Sequence, residues 1–298
     1  MVDPLAKFRH NPKNPIKRIS EMLKVRSRGL AVLAVLFLVP MILGIDFEYL
    51  LIHGRVSRPN EFPEVVQIYN ATSSCTATIV GPRVILTAAH CAQTNTNVTF
   101  THEGVSYTAI ITRSDRYDSL DHDMALGLVD EFISTKYGIV YGSPGLGERI
   151  YLSGFGCTEF QGPSDVRLRV GDSVVVSFDG YDFVAEREDG AVLCFGDSGG
   201  PSFSYMFDPY SEDHFVLGVN SKGNIKDRSL ITRMDHQDSM AFLNSWSEKN
   251  GVEICGINRQ CRGNTTDPNE CFKEKVRKEL MTLASECPYK SDIKFLQH

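Results

Sequence analysis

Between residues 51 and 240, short runs of β-branched and aromatic residues alternate with turn-forming clusters. The runs are VVQIY from Val65, CTATIV from Cys75, RVILTA from Arg83, YTAIIT from Tyr107, RIYLSGFG from Arg149, DSVVVSF from Asp172 and FVLGV from Phe215. Runs of this length and spacing predict antiparallel strands, in a sandwich or a barrel. No long amphipathic helix intervenes to suggest βαβ units, so the body is expected to be all-β. One helix is predicted at its end, over 235–250, where Met240, Phe242 and Leu243 fall at helical spacing. The stretch 251–298 differs again: it holds four cysteines, and Asp267-Pro268 opens a second predicted helix with Phe272, Val276, Leu280 and Leu283 on one face. That face is expected to pack on the body rather than on a membrane.

The first fifty residues follow another pattern. Residues 1–28 are basic, and 29–44 form an uncharged apolar run preceded by Lys24, Arg26 and Arg28. A basic start before such a core is the pattern of a secretory signal peptide, and the run is short for a membrane span, with Pro40 inside it. The long lead suggests either a later start at Met22 or an uncleaved signal anchor.

Composition changes this picture in two places. With 42% hydrophobic and 10% aromatic residues among 298, the chain can bury a sizeable core. Residues 1–50 hold eight Lys/Arg and four Asp/Glu, which leaves 23 basic against 33 acidic residues in 51–298. A body so acidic is not expected to bind nucleic acid, which needs clustered positive charge.

The eight cysteines are Cys75, Cys91, Cys157, Cys194, Cys255, Cys261, Cys271 and Cys287, all beyond the apolar run. An even number on the exported side favours four disulfides, and no zinc-type spacing suggests a metal. In a continuous helix Cys271 and Cys287 would stand about 24 Å apart, beyond disulfide reach. They are therefore expected to pair elsewhere, most simply with Cys255 and Cys261. Asn70, Asn97 and Asn264 begin triplets of glycosylation form, which chance also produces in this length.

Three stretches carry candidate chemistry. VILTAAHC runs a strand into a turn that displays His90; DHDMALGLVD puts Asp123 before an apolar alternation; CFGDSGGPSF sets Ser198 in a glycine-rich turn. A histidine that can take a serine proton and return it to a leaving amine, oriented by a buried carboxylate, is what acyl transfer needs. Each residue alone also has a structural reading, and Asp118 and Asp121 compete with Asp123.

Together, TAAHC, DMAL and GDSGGP resemble the trypsin/chymotrypsin family of serine proteases, over residues 51–248. The resemblance implies two six-stranded antiparallel β-barrels with a C-terminal helix, followed by the small cysteine-rich helical extension at 251–298. The protease domain would span 51–250, with a short propeptide at 45–50. His90 and Asp123 would come from the first barrel and Ser198 from the second, with an oxyanion hole made by the N–H groups of Gly196 and Ser198. The family pattern pairs Cys75 with Cys91. The usual partner of Cys194 is missing, and Cys157, in the neighbouring loop, is the expected substitute.

LIHG at Leu51 resembles the start of the active family enzymes, where a cut frees an α-amino group that pairs with the acid before the serine, here Asp197. Leucine replaces the usual isoleucine or valine, and His53 a glycine. In the specificity pocket the pattern places Val192 on the floor, Leu193 beside it, Ser229 at a second floor position, and Asn220, Ser221 and Gly223 along the wall and entrance. An apolar floor predicts cleavage after Leu, Met or Phe. A loop slip that brought Asp227 into the pocket would instead give a basic preference, and Lys222, where an aromatic is usual, would alter neighbouring subsites.

The expected protein is thus a secreted serine endopeptidase made as a zymogen, without cofactor or metal. Its partners would be protein or peptide substrates and protease inhibitors, with membrane contact only through an uncleaved anchor. The rivals are a protease-fold binding or regulatory protein without activity, and an esterase. The esterase is disfavoured by the all-β pattern and the lack of a GxSxG elbow.

Overall fold

The computed structural model describes residues 51–261, apart from 120, 143, 160–161, 163–165, 187, 189 and 206–212. The apolar run at 29–44, residues 45–50 and the helix expected after Asp267, with Cys271 and Cys287, lie outside the described residues.

After a short β1 (Arg55–Val56), the chain lays down β2 (Val65–Tyr69), β3 (Ser74–Gly81), β4 (Val84–Thr87), β5 (Asn97–His102), β6 (Val105–Arg113) and β7 (Ala125–Val129). These six strands close into an antiparallel barrel in the order β2-β3-β4-β7-β6-β5. In β5 the alternation is strict: Val98, Phe100 and His102 face inward and their neighbours face solvent. That is the period-2 pattern that makes a half-buried strand. In β4 all four residues are buried, since one face fills the barrel and the other is covered by protein.

A second barrel follows a short β8 (Ile139–Val140) and consists of β9 (Arg149–Gly154), β10 (Arg169–Asp179), β11 (Asp182–Glu186), β12 (Pro201–Ser204), β13 (Phe215–Gly223) and β14 (Arg228–Arg233). The pairing β10–β9 closes it, while β1 adds to β10 and β8 runs parallel to β13. Closure leaves neither barrel with a long open edge. The second core gathers Leu51, Ile150, Leu152, Val175, Phe183, Leu193, Leu217 and Ile231.

Helix α1 (Gln237–Asn250) ends the body. The His236 side chain accepts from the Asp238 N–H at its start, and Gly251, at φ 61°, turns its N–H back to Glu248 and Ser247 carbonyls at its end. Phe242, Leu243 and Trp246 are its buried apolar residues, whereas Met240 is only half-buried.

Residues 251–261 stay on the body. The Cys255 N–H donates to the Val80 carbonyl (2.8 Å) and the Val140 N–H to the Cys255 carbonyl (2.9 Å). Here one expectation fails: Cys255 pairs with Cys261, not with the tail cysteines. The tight turn between them brings their Cα atoms to 5.5 Å, within disulfide range. Cys75–Cys91 and Cys157–Cys194 pair as the family pattern implied.

Candidate active site

At the end of β4 the chain drops into a single 3₁₀ turn, Ala89–Cys91, with Cys91 tied to Cys75 on β3. This anchored turn leaves the His90 imidazole 38% exposed while its Nδ1 donates to Asp123 Oδ2 at 2.6 Å. The His90 main-chain N–H donates to Asp123 Oδ1 (2.9 Å), and the Ser221 hydroxyl, from the second barrel, donates to Oδ2 (2.7 Å). Burial pushes the Asp123 pKa up. The hydrogen bond and charge of His90, then the Ser221 and backbone bonds, outweigh it and hold the acid below the ordinary carboxylate value. Asp118 and Asp121 are exposed, and Asp118 accepts the Asp121 N–H.

Asp123 owes its direction to its neighbour. His122 sits at φ 50°, its side chain fully buried, and its ring nitrogens meet Ser114 Oγ (2.6 Å) and Ser239 Oγ (2.9 Å). Ser239 donates its own proton to the Arg233 carbonyl (2.8 Å), so it must accept from His122 Nε2–H. Nδ1 is then the acceptor of the Ser114 hydroxyl proton, and the imidazole is neutral. Burial drives its pKa down to about 4.

Ser198 and His90 line one cavity of about 390 Å³, with Asp123, Leu193, Ser221 and Gly223 also on its wall. The serine hydroxyl and the imidazole share it without a hydrogen bond between them. The loop carrying Ser198 is set by its carbonyls. The Phe195 carbonyl accepts from the Cys157 N–H (2.8 Å) and the Asp197 carbonyl from the Gly200 N–H (3.0 Å). In a trans peptide the N–H points opposite to the C=O, so the N–H groups of Gly196 and Ser198 are turned the other way. Among the described residues neither has a hydrogen-bond partner. Gly196 reaches this shape at φ 104°, where a side chain would be strained.

Asp197 lies behind this loop, fully buried. Its oxygens accept the N–H groups of Cys194 (2.9 Å) and Gly156 (2.8 Å). Burial raises its pKa to about 7, against the pull of those two bonds and the charge of Arg169. Gly156 makes the approach possible, since a Cβ there would stand 2.5 Å from the Asp197 carboxyl carbon. Leu51 is buried in the second core, and Ile52 next to it bridges Val192 in antiparallel register, with the Val192 N–H donating to the Ile52 carbonyl (3.0 Å). His53 Nδ1 reaches the Gly190 carbonyl at 3.1 Å.

The family model described as Trypsin matches residues 51–234. The chain belongs to the trypsin family. Solved structures that share its fold include the following two. A point mutant of human heparin binding protein is 18% identical, with TM-score 0.54 over 66% of this chain and 96% of that one. Neuropsin, a serine protease expressed in the limbic system of mouse brain, is 20% identical, with TM-score 0.54 over 66% and 98%. No curated protein sequence matches the chain.

In this trypsin-family chain the cavity next to Ser198 is lined by Leu193, Ser221 and Gly223 of the pocket residues named from the sequence. Val192, Asn220 and Ser229 are buried and are not on its wall. Asn220 turns its amide inward, to the Ser153 carbonyl (2.9 Å) and the Ser202 hydroxyl (2.8 Å), and the Ser229 hydroxyl accepts the Leu193 N–H (3.1 Å). Asp227 is exposed and bound to Asn224 Nδ2 (2.6 Å).

Reasoning from sequence alone missed Tyr117, Ser119, Phe195 and Ile225, which also line the cavity. Phe195 stands beside Cys194 in the glycine run and could have been read from that adjacency; the others are brought in by loops. The group of metal-ligating types, Cys75, His90 and Cys91, has both sulfurs in a disulfide and offers no thiolate.

Proposed function

We propose that this trypsin-family chain is a secreted serine endopeptidase made as a zymogen. Ser198 attacks the peptide carbonyl, His90 takes its proton and passes it to the leaving amine, and Asp123 holds the imidazole and stabilises its positive charge. The N–H groups of Gly196 and Ser198 receive the developing oxyanion. The observation that carries this reading is the three-point hold on Asp123, by His90 Nδ1, the His90 N–H and Ser221, with Ser198 on the wall of the same cavity.

Export through the segment at 29–44 is part of the proposal, supported by the disulfides, which persist in oxidising compartments. Activation is a cut before Leu51, whose new α-ammonium would partner Asp197. The buried position of Leu51 and the raised pKa of Asp197 both favour it. Cleavage falls after apolar residues such as Leu, Met or Phe. The lining supports this choice: it joins apolar Leu193, Phe195 and Ile225 to the cationic Lys222, and the carboxylate on its wall, Asp123, is already engaged by His90 and Ser221, so a substrate cation would meet no free counter-charge there.

A serine-directed fluorophosphonate, applied before and after limited proteolysis, tests the reading. Labelling of Ser198 after a cut near Leu51 is expected, and Ser198→Ala should fold yet lose turnover by on the order of 10⁶. Wild-type rates in that variant would remove the catalytic assignment, and a library cut mainly after Arg or Lys would remove the apolar pocket.

A further inference from the structure

Thr76, the third residue of β3, belongs to the first barrel, yet its side chain reaches into the second. It is fully buried, and every polar group it has is engaged. Its hydroxyl donates to the Gly196 carbonyl (2.8 Å) and accepts the Phe155 N–H (3.0 Å). Its main-chain N–H donates to the Ser198 carbonyl (2.8 Å), and its carbonyl accepts the Thr87 hydroxyl (2.8 Å). One residue therefore grips the carbonyls on both sides of Asp197. Through Phe155 it also steadies the segment whose next N–H, that of Gly156, binds Asp197.

The grip matters most at Gly196, because glycine is the residue whose flanking peptides rotate most freely. On its N-terminal side the peptide is held by the Cys157 N–H on the Phe195 carbonyl; on its C-terminal side it is held by Thr76. With both peptides held, the Gly196 N–H keeps one direction. We propose that the Thr76 hydroxyl is a positioning group for the oxyanion site, fixing the direction of the Gly196 N–H by holding the Gly196 carbonyl from the first barrel. The proposal rests on the proteolytic reading above.

Thr76→Val keeps the shape and removes the hydroxyl; Thr76→Ser keeps the hydroxyl and removes the methyl. In the activated enzyme, Thr76→Val should lower kcat about tenfold or more with KM nearly unchanged, because the loss falls on the transition state. Affinity for a peptide boronic acid, which presents a tetrahedral oxyanion mimic, should fall by a similar factor. Thr76→Ser should stay within about threefold of wild type on both measures. If the valine variant does not fold, Thr76→Ala, which adds no atoms, takes its place in the same comparison. A folded Thr76→Val or Thr76→Ala with wild-type kcat and boronate affinity overturns the proposal, as does an equal loss in Thr76→Ser, which would assign the effect to packing. A wild type that reacts with neither fluorophosphonate nor boronate overturns the proteolytic reading, and this proposal with it.

Discussion

Asp123 is the residue on which the site's electrostatics converge. A hydrogen bond to a charged acceptor contributes about 1.5–3 kcal/mol, and Ser221 supplies one of the three that Asp123 accepts. Ser221→Ala should therefore slow peptide hydrolysis by about ten- to a hundredfold. Asp123→Asn, which removes the charge and disturbs the His90 tautomer, should slow it on the order of 10⁴. Kinetics on a single peptide substrate check the order; equal losses would mean that Ser221 does more than support the acid. His90, Asp123 and Ser198 could be singled out from short motifs because each needs a local backbone shape that leaves a mark in the sequence. Thr76 leaves none: in CTATIV it reads as an ordinary strand threonine, and its partners lie 79 and 120 positions away.

Between elements, the chain Ser114–His122–Ser239–Arg233 joins the end of β6 and the loop before β7 to the start of α1. It is complete only with a neutral imidazole. Asp238, His236, Asp115 and Arg116 are the charged and titratable groups around it, and Tyr181 lies edge-on to the ring at 4.9 Å. In the unfolded chain this histidine takes a proton near its ordinary value of about 6.5, whereas in the fold it does so only near 4. The unfolded state thus binds the extra proton first as pH falls, and stability is lost between about 6.5 and 4, by up to about 3 kcal/mol. Denaturant titrations across that window should show the loss in wild type and a shallower slope in His122→Gln. The same slope in both would remove His122 as its source. DHDM displayed this histidine in plain view, but only the arrival of α1 from over a hundred residues away gives it a second hydroxyl.

For the whole molecule, the decisive group is Asp197. Its folded pKa, about 7, is raised above the unfolded value, so the unfolded chain gives up this proton first as pH rises. The uncut chain should therefore lose stability from this group as pH climbs from about 4 to 7. A cut that frees the Leu51 ammonium would hold Asp197 ionised and remove that loss. Denaturant midpoints of cut and uncut protein at pH 5 and pH 7.5 check this: the gain on cutting should be larger at the higher pH. An equal gain at both would separate the cut from Asp197.

Sequence by itself determined the all-β body, the single packing helix near residue 240 and the three short motifs, because strand alternation, helical spacing and turn chemistry act over a few residues. The resemblance built on those motifs carried the two barrels and the pairings Cys75–Cys91 and Cys157–Cys194. Tertiary structure decided the rest. Cys255 met Cys261 because the turn between them docks on β3 and β8, a contact that no spacing rule contains. Asn220 on β13 and Ser229 on β14 turned their polar groups to the interior, and Phe195, Tyr117 and Ile225 came to the cavity on loops, because barrel closure places both strands and loops. Side-chain direction in a closed barrel depends on partners far along the chain, so it is settled only when both barrels have formed.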